Sequence, residues 1–301
     1  MPITIPNDLP AREILEGENI FVMDSCRAEK QDIRPLRIVI LNLMPTKIET
    51  ETQLLRLLSN SPLQVEVTLM HTASYESKNT QKSHLERFYH TFSEIKDKKF
   101  DGMIVTGAPI EHLEFEEIAY WSELVEILEW AKTNVFSMFY SCWGAFAGLY
   151  FHYGLSKVTL PKKLSGVYRH EVLDKLHPLL FGFDDEFYAP HSRNAGVDID
   201  GAQKVPYLQI LSVSDKAGAY LLADTEKMRF FVTGHPEYDT DTLAKEYFRD
   251  VDKGINPEVP QNYFQDDDPA KTPVKLWRSH ANLLFANWLN FYVYQAVPYN
   301  W

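Results

Sequence analysis

The sequence predicts an α/β fold with a doubly wound, mostly parallel sheet. Between residues 36 and 154, β-branched or apolar runs alternate four times with segments whose apolar residues recur at helical spacing. The first run, LRIVILNL, is almost entirely apolar, which is typical of a strand with helices packed on both faces. After Gly154, short strand-like runs separated by turns favour an antiparallel or mixed edge with additional strands.

Each strand is followed by a helical segment, a pattern that predicts right-handed crossovers between parallel strands. The predicted strands cover residues 36–43, 63–70, 100–109 and 134–141, and the predicted helices cover 48–60, 76–99, 114–132 and 143–154. In the second half, the predicted strands lie at 166–173, 186–193, 208–215, 217–224 and 228–238, with helices at 240–252 and 279–297.

The chain shows no internal repeat and no linker that would divide it, so we expect one α/β domain over residues 1–301. Pro2, Pro6 and Pro10 interrupt the N-terminal segment. Residues 1–34 are therefore predicted to form an irregular arm, and residues 35–301 the body of the domain.

Charge and cysteine content exclude several classes of protein. With 42 acidic and 30 basic residues, the net charge of −12 argues against binding to nucleic acid or to an anionic membrane. Cys26 and Cys142 are too few for a disulfide framework, and no signal peptide is visible, so we expect a cytoplasmic protein. Cys26 is interpreted as structural. The histidines show no metal-ligand spacing, so no metal is predicted.

Cys142 lies in MFYSCWGAF, where a predicted strand changes into a predicted helix. A sharp turn of this kind can present a nucleophile, and the helix N-terminus favours a thiolate. The backbone N–H of Trp143 would then serve as an oxyanion donor. A buried structural cysteine is an equally good interpretation of this stretch, because Tyr140 breaks the G-x-S-x-G pattern.

His235 and Glu237 follow the apolar run FFVTG, with one residue between them. Residues two apart on an extended segment point to the same side, so Glu237 can orient the His235 imidazole. Together with Cys142 they supply the nucleophile, the base and the orienting carboxylate of a thiol relay. The alternative is an ordinary Gly-His-Pro turn that closes a strand.

The elbow cysteine and the late His-Pro-Glu resemble the class I glutamine amidotransferase-like fold, a flavodoxin-like architecture. Longer motifs resemble the homoserine O-succinyltransferase/O-acetyltransferase family, and the resemblance covers essentially the whole chain. These motifs are LNLMPTKIETETQLLRLL, VTGAPIEHLEFEEIAYW, YSCWGA, PKKLSGVYRH, PHSR and VTGHPEYDTDTLAKEYFRD.

The resemblance implies an enzyme of methionine biosynthesis that acylates the hydroxyl of L-homoserine from an acyl-CoA by a ping-pong scheme. It implies that Cys142 carries the acyl group as a thioester, that His235 is the general base and that Glu237 orients it. By motif, Lys163, Ser192 and Arg249 match substrate-binding positions. The resemblance also suggests a homodimer, as does the aromatic C-terminus FYVYQAVPYNW, and it implies no cofactor besides the acyl-CoA co-substrate.

The expected acyl donor is acetyl-CoA, because residue 111 is Glu. Members of the family that use succinyl-CoA resemble this motif with Gly at the same position. Glu111 would occupy the extra space and repel the succinyl carboxylate. One alternative is that Glu111 is simply an exposed residue at an acidic helix start, and the alternative donor is succinyl-CoA.

Two other functions compete with acyl transfer: a glutamine amidohydrolase on the same fold, and a flavodoxin-like binding protein in which the relay is incidental. For the second oxyanion donor, we expect the loop at residues 41–45, which follows a neighbouring strand at the same sheet edge.

Overall fold

A computed structural model of the chain describes residues 3–18, 20, 22–23, 34–75 and 79–298. The first half forms β1 (Ile3–Thr4), α1 (Pro10–Gly17), β2 (Val22–Met23), β3 (Leu36–Leu41), α2 (Lys47–Ser59), β4 (Val65–Met70), α3 (Lys82–Phe88), β5 (Tyr89–His90), α4 (Phe92–Ile95), β6 (Phe100–Val105), α5 (Trp121–Asn134), β7 (Val135–Ser141) and α6 (Trp143–Tyr153). The second half forms β8 (Lys157–Val172), β9 (Glu186–Val197), α7 (Ile199–Ala202), β10 (Gln209–Ser214), β11 (Gly218–Asp224), β12 (Arg229–Val232), α8 (Thr242–Asp252) and α9 (Arg278–Asn287).

The strands form one sheet in the order β2-β1-β4-β3-β6-β7-β12-β11-β10-β8-β9, and β5 also pairs with β4. Neighbours from β2 to β12 run parallel, and those from β12 to β9 run antiparallel. The predicted doubly wound, mostly parallel sheet with an antiparallel extension is therefore confirmed. The β6, β7 and β12 strands lie side by side at its centre.

Helices cover both faces of the sheet because successive side chains of a buried strand point to opposite sides. In β3, Ile38 and Ile40 belong to one apolar core, and Val39 and Leu41 belong to the other. The first core includes residues of α2 and α9, and the second includes residues of α5 and α6. The continuous apolar run of β3 thus follows from burial on both faces.

The described part of the N-terminal segment is more regular than the predicted irregular arm. α1 begins at Pro10, where the missing N–H removes no helical hydrogen bond, and its Leu15 is fully buried. β1 and β2 extend the sheet beyond β4. Cys26, interpreted as structural, lies outside the described residues.

Two other boundaries differ from the prediction. The segment 76–99 was predicted as one helical stripe, but its described part is divided between α3, β5 and α4. The antiparallel region is dominated by the long hairpin of β8 and β9, which have 16 and 12 residues, rather than by short strands alone. Local patterning did not reveal this pairing, because hairpin length depends on tertiary contacts.

At the C-terminal end, α9 continues into a π-helical segment, Trp288–Tyr294. Trp288, Tyr292 and Val293 of this segment are buried in the core of the same chain. The aromatic composition there is thus largely explained by packing within the chain, and the homodimer stays a prediction. Among the described residues, no helix has both the length and the apolar character needed to cross a membrane.

Gly144 lies in the first turn of α6, where this helix is in close contact with the end of β6. A Cβ atom at Gly144 would lie 2.7 Å from the carbonyl oxygens of both Val105 and Thr106. We expect Gly144→Ala to lower the free energy of unfolding by about 1–3 kcal/mol, measured by urea denaturation. Gly17→Ala, at the end of α1, is the control, since its Cβ would meet nothing within 4 Å. Equal stability of the Gly144→Ala protein and the wild type would contradict this contact.

Candidate active site

Cys142 occupies the turn between β7 and α6 with φ 49° and ψ −117°, a combination that non-glycine residues rarely adopt. Its N–H donates to the carbonyl of Val232 at 2.7 Å, and its own carbonyl accepts from the N–H of Ala145 at 2.9 Å. These hydrogen bonds to β12 and α6 hold the strained residue in place. The turn predicted from the sequence is therefore present, with the geometry of a nucleophile elbow.

Cys142 lines a cleft of about 430 Å³ at the carboxyl ends of the parallel strands. This edge is where α/β sheets generally bind their ligands. The structure brings together most of the side chains proposed from the sequence, although they lie far apart along the chain. The cleft is lined by Glu111, Cys142, Lys163, Ser192, His235 and Arg249, among others.

Cys142, His235 and Glu237 form a connected relay. The Nδ1 atom of His235 lies 2.7 Å from Oε1 of Glu237. Cβ of Cys142 and Cε1 of His235 lie 3.1 Å and 3.6 Å from the position that a Cβ of Gly107 would occupy, so the two side chains face the same point. Burial alone would lower the pKa of His235, but the neighbouring Cys142 and Glu237 charges and hydrogen bonds raise it well above its ordinary value. The arrangement therefore favours the charged imidazolium form of His235.

Backbone contacts fix the position of His235. Its N–H donates to the carbonyl of Pro190 on β9 at 2.9 Å. Its ring stacks on Tyr238, with centroids 4.1 Å apart and planes inclined by 18°. A Cβ at Gly234 would lie 2.8 Å from the Pro190 carbonyl oxygen, so only glycine fits before the histidine. The Gly-His-Pro sequence is thus both a strand-closing turn and the support of the imidazole.

The turn after β6 faces the thiol more directly than the predicted loop at residues 41–45. A Cβ at Gly107 would lie 3.1 Å from Cβ of Cys142 and 3.6 Å from the backbone nitrogen of Trp143. β6 also lies between β3 and β7 in the sheet.

The backbone donors of the loop after β3 are already used. The N–H of Leu43 donates to Oγ1 of Thr106 at 2.8 Å, and that of Met44 donates to Oδ1 of Asn42 at 3.2 Å. The N–H of Asn42 donates to the carbonyl of Met70, and Pro45 has no N–H. The turn that contains Gly107 is therefore the better candidate for the second oxyanion donor.

The three predicted substrate-binding residues meet in the cleft, where each contacts an acidic residue that the sequence interpretation missed. Ser192 donates to Oε2 of Glu246 at 2.5 Å, and Nζ of Lys163 lies 3.4 Å from Oδ2 of Asp250. Nε of Arg249 donates to Oδ1 of Asp250 at 2.9 Å. The spacing of residues 246, 249 and 250 places them on one face of α8, a signal visible in the sequence.

Glu111 is buried, with 7% of its surface exposed, and lines the same cleft as Cys142. Burial raises its pKa, although the nearby His235 and Lys163 charges oppose the shift. Glu114, Glu116 and Glu117 are exposed. The alternative of an exposed Glu111 in an acidic helix start is therefore wrong, and the side chain lies in the cleft that Cys142 also lines.

The family model for homoserine O-succinyltransferase matches residues 2–299 of this chain. This chain belongs to the homoserine O-succinyltransferase family. Proteins named homoserine O-acetyltransferase are its relatives: one from Geobacillus sp. (strain WCH70) is 60% identical over 301 residues and covers all of both chains. Another from Bacillus licheniformis is 57% identical over the same length, and one from Clostridium novyi is 58% identical over 299 residues, or 99% of each chain.

The fold of this family member also appears in solved structures of low sequence identity. A glutamine amidotransferase from Thermotoga maritima superposes with a TM-score of 0.53 at 12% identity, covering 85% of this chain and 98% of that one. A glutamine amidotransferase from Methylobacillus flagellatus gives 0.50 at 13% identity, covering 86% and 95%. The predicted glutamine amidotransferase-like fold is thereby confirmed.

A buried polar network beneath the cleft wall of this homoserine O-succinyltransferase family member was also missed. Tyr89 donates to Oε1 of Glu51 at 2.6 Å, and Nε2 of His84 lies 2.9 Å from the same oxygen. Lys47 donates to the carbonyl of Asn42, and burial lowers its pKa to about 8. The four-residue spacing of Lys47 and Glu51 on α2 indicates an ion pair in the sequence, but the other residues of the network come from distant segments. The network supports the loop that borders the cleft.

Oγ1 of Thr106 accepts a hydrogen bond from the N–H of Leu43 and so connects the turn after β6 to the loop after β3. We expect Thr106→Val to lower the free energy of unfolding by about 1–3 kcal/mol, because a buried donor loses its acceptor at nearly unchanged volume. Thr106→Ser, which keeps the hydroxyl, is the matched control in urea denaturation. If the Val and Ser variants were equally stable, this hydrogen bond would not hold the two loops together.

Proposed function

We propose that this protein is a homoserine O-acetyltransferase, which transfers the acetyl group of acetyl-CoA to the hydroxyl of L-homoserine in methionine biosynthesis. The observation that carries the proposal is the strained Cys142 grouped with His235 and Glu237 at a cleft. It is supported by relatives of that name at 56–60% identity over nearly the whole chain. A cytoplasmic location, a homodimer and the absence of a cofactor or metal stay predictions.

In the first half of the reaction, the Cys142 thiolate attacks the carbonyl carbon of acetyl-CoA. The carbon–sulfur bond to CoA breaks, CoA leaves as a thiol with the proton of the His235 imidazolium, and the acetyl group stays on Cys142 as a thioester. The backbone N–H of Trp143, at the start of α6, would stabilise the tetrahedral oxyanion.

In the second half, the now neutral His235 takes the proton of the homoserine hydroxyl as its oxygen attacks the thioester. The bond to the Cys142 sulfur breaks, O-acetylhomoserine leaves, and the thiolate and imidazolium are restored. Glu237 holds the imidazole in one orientation and stabilises its charged form throughout. Because CoA leaves before homoserine reacts, the scheme is ping-pong.

Homoserine carries a carboxylate that needs a cation, and Arg249 is the candidate on α8. Its guanidinium contacts Asp250 and remains half-exposed in the cleft, so it can turn toward a substrate carboxylate in a bidentate contact. Ser192 and Lys163, on the facing hairpin, would complete the substrate pocket.

The activity is tested by incubating the protein with L-homoserine and acetyl-CoA, succinyl-CoA or glutamine, and measuring release of CoA thiol or ammonia. We expect homoserine-dependent CoA release and an acetylated Cys142 peptide by mass spectrometry when homoserine is omitted. Cys142→Ser should abolish the adduct, and His235→Asn should slow turnover ~10²–10⁴-fold, the usual value of general-base catalysis.

The control reactions distinguish the rival functions. Ammonia release from glutamine would indicate an amidohydrolase. No reaction with any substrate and no adduct on Cys142 would favour a binding protein with an incidental relay. Either result, without homoserine-dependent CoA release, would overturn the proposed transferase.

Donor choice is tested by Glu111→Gly, which opens volume and removes a negative charge from the cleft. We expect the ratio of kcat/KM for succinyl-CoA to that for acetyl-CoA to rise at least ~10-fold, because lost volume and charge repulsion both disfavour succinyl. Glu111→Gln keeps the volume and removes only the charge, so the two variants separate these causes. An unchanged ratio in Glu111→Gly would remove Glu111 from this role.

A further inference from the structure

Arg193 is a buried arginine on β9, with 2% of its surface exposed. Its Nε donates to Nδ1 of His191 at 3.2 Å, and its two terminal nitrogens donate to the carbonyls of Ala195 and Ala217. All three acceptors are uncharged. Within the described ranges, no carboxylate lies within 4.0 Å of this guanidinium.

A buried cation without a nearby counter-charge is costly, so a compensating negative charge is expected at longer range. Alternation along β9 gives the direction: Ser192 and Asn194 line the cleft, whereas His191 and Arg193 are buried beneath it. The guanidinium is therefore placed under the floor of the active site and cannot bind a ligand in the cleft directly.

The Arg193–His191 pair packs behind the relay. Cε1 of His191 lies 3.1 Å from the position that a Cβ of Gly234 would occupy, and the neighbouring Pro190 carbonyl accepts the His235 N–H. Burial lowers the pKa of Arg193 to about 10, and the nearby charges of Cys142 and Glu111 oppose this shift. Both groups are thus within electrostatic reach of the guanidinium.

The other titratable groups around Arg193 are neutral near pH 7. Burial lowers the pKa of His170 to about 3 and that of His191 well below its ordinary value, and it raises the pKa of Tyr168 to about 12. His191 and His170 lie with their Nε2 atoms 3.1 Å apart, as expected for uncharged imidazoles sharing one hydrogen bond.

The charges of the active-site groups show how Arg193 bears on the reaction. A Cys142 thiolate, a His235 imidazolium and a Glu237 carboxylate sum to one negative charge, and an ionised Glu111 would add another. The positive charge of Lys163 also acts on Glu111, but Nζ of Lys163 lies 3.4 Å from Oδ2 of Asp250, which offsets that charge. Arg193 supplies a positive charge that has no carboxylate within 4.0 Å in the described part of the chain.

We propose that Arg193 is a positioning residue for the nucleophile: its buried guanidinium is the fixed positive charge that favours the thiolate of Cys142 between acyl transfers. The thiolate's use as an acyl carrier rests on the proposed function, whereas the charge coupling itself does not. Arg193 acts through Cys142 and does not touch the substrates.

The coupling is tested by alkylating the whole protein with iodoacetamide between about pH 5 and about pH 9 and quantifying the Cys142 peptide by mass spectrometry. In Arg193→Gln, we expect the midpoint of the rate–pH profile to move up by about one pH unit, so that alkylation near neutral pH slows about tenfold. Arg193→Lys, which keeps the charge, should stay close to the wild type. The Cys26 peptide is the internal reference for reagent reactivity.

A purely structural Arg193 would give a different result. The Gln and Lys variants would then both lower the thermal unfolding midpoint while the alkylation profile of Cys142 stayed in place, and this outcome would overturn the proposal. If Arg193→Gln does not fold, Arg193→Met fills the same space without a polar group and is judged by the same profile. Alkylation needs neither acyl-CoA nor homoserine. The Arg193 proposal can therefore fail while the transferase activity is observed, and it can hold while the transferase activity is absent.

Discussion

The active site depends on one backbone constraint, the positive φ of Cys142 at the end of β7. An L-residue with a side chain occupies this region only when the surrounding structure holds it there. Here the central strand β12 accepts the cysteine N–H, and α6 begins directly after the turn. Gly107 and Gly144 pack closely around this turn, because a Cβ at Gly107 would lie 3.1 Å from Cβ of Cys142 and a Cβ at Gly144 would lie 2.7 Å from the end of β6. The thiol is thus presented by strand packing.

The same sheet edge collects the remaining groups. β12 leads into the segment that carries His235, and the hairpin of β8 and β9 carries Lys163 and Ser192. α8 contributes Arg249. Because each group comes from a separate element, the geometry of the site depends on the register of the sheet and on the packing of α8, and small shifts in either would alter the cleft.

Buried charge is the second organising feature. The imidazole of His235 is raised in pKa by neighbours that are themselves buried, and a network around Glu51 supports one cleft wall. Arg193 belongs to the same pattern, since its hydrogen bonds satisfy its donors but leave its charge unopposed at short range. In such surroundings charges interact over longer distances than in water, so groups outside the cleft influence the thiol.

The sequence by itself determined the alternation of strands and helices, the elbow at Cys142 and the pairing of His235 with Glu237, because these follow from local periodicity and two-residue spacing. The regular structure of β1, α1 and β2, the β8–β9 hairpin, the acidic partners of Lys163 and Ser192 and the turn that faces the thiol were decided only by tertiary structure. Each of these depends on contacts between segments far apart in sequence, and local propensity carries no information about which segments meet.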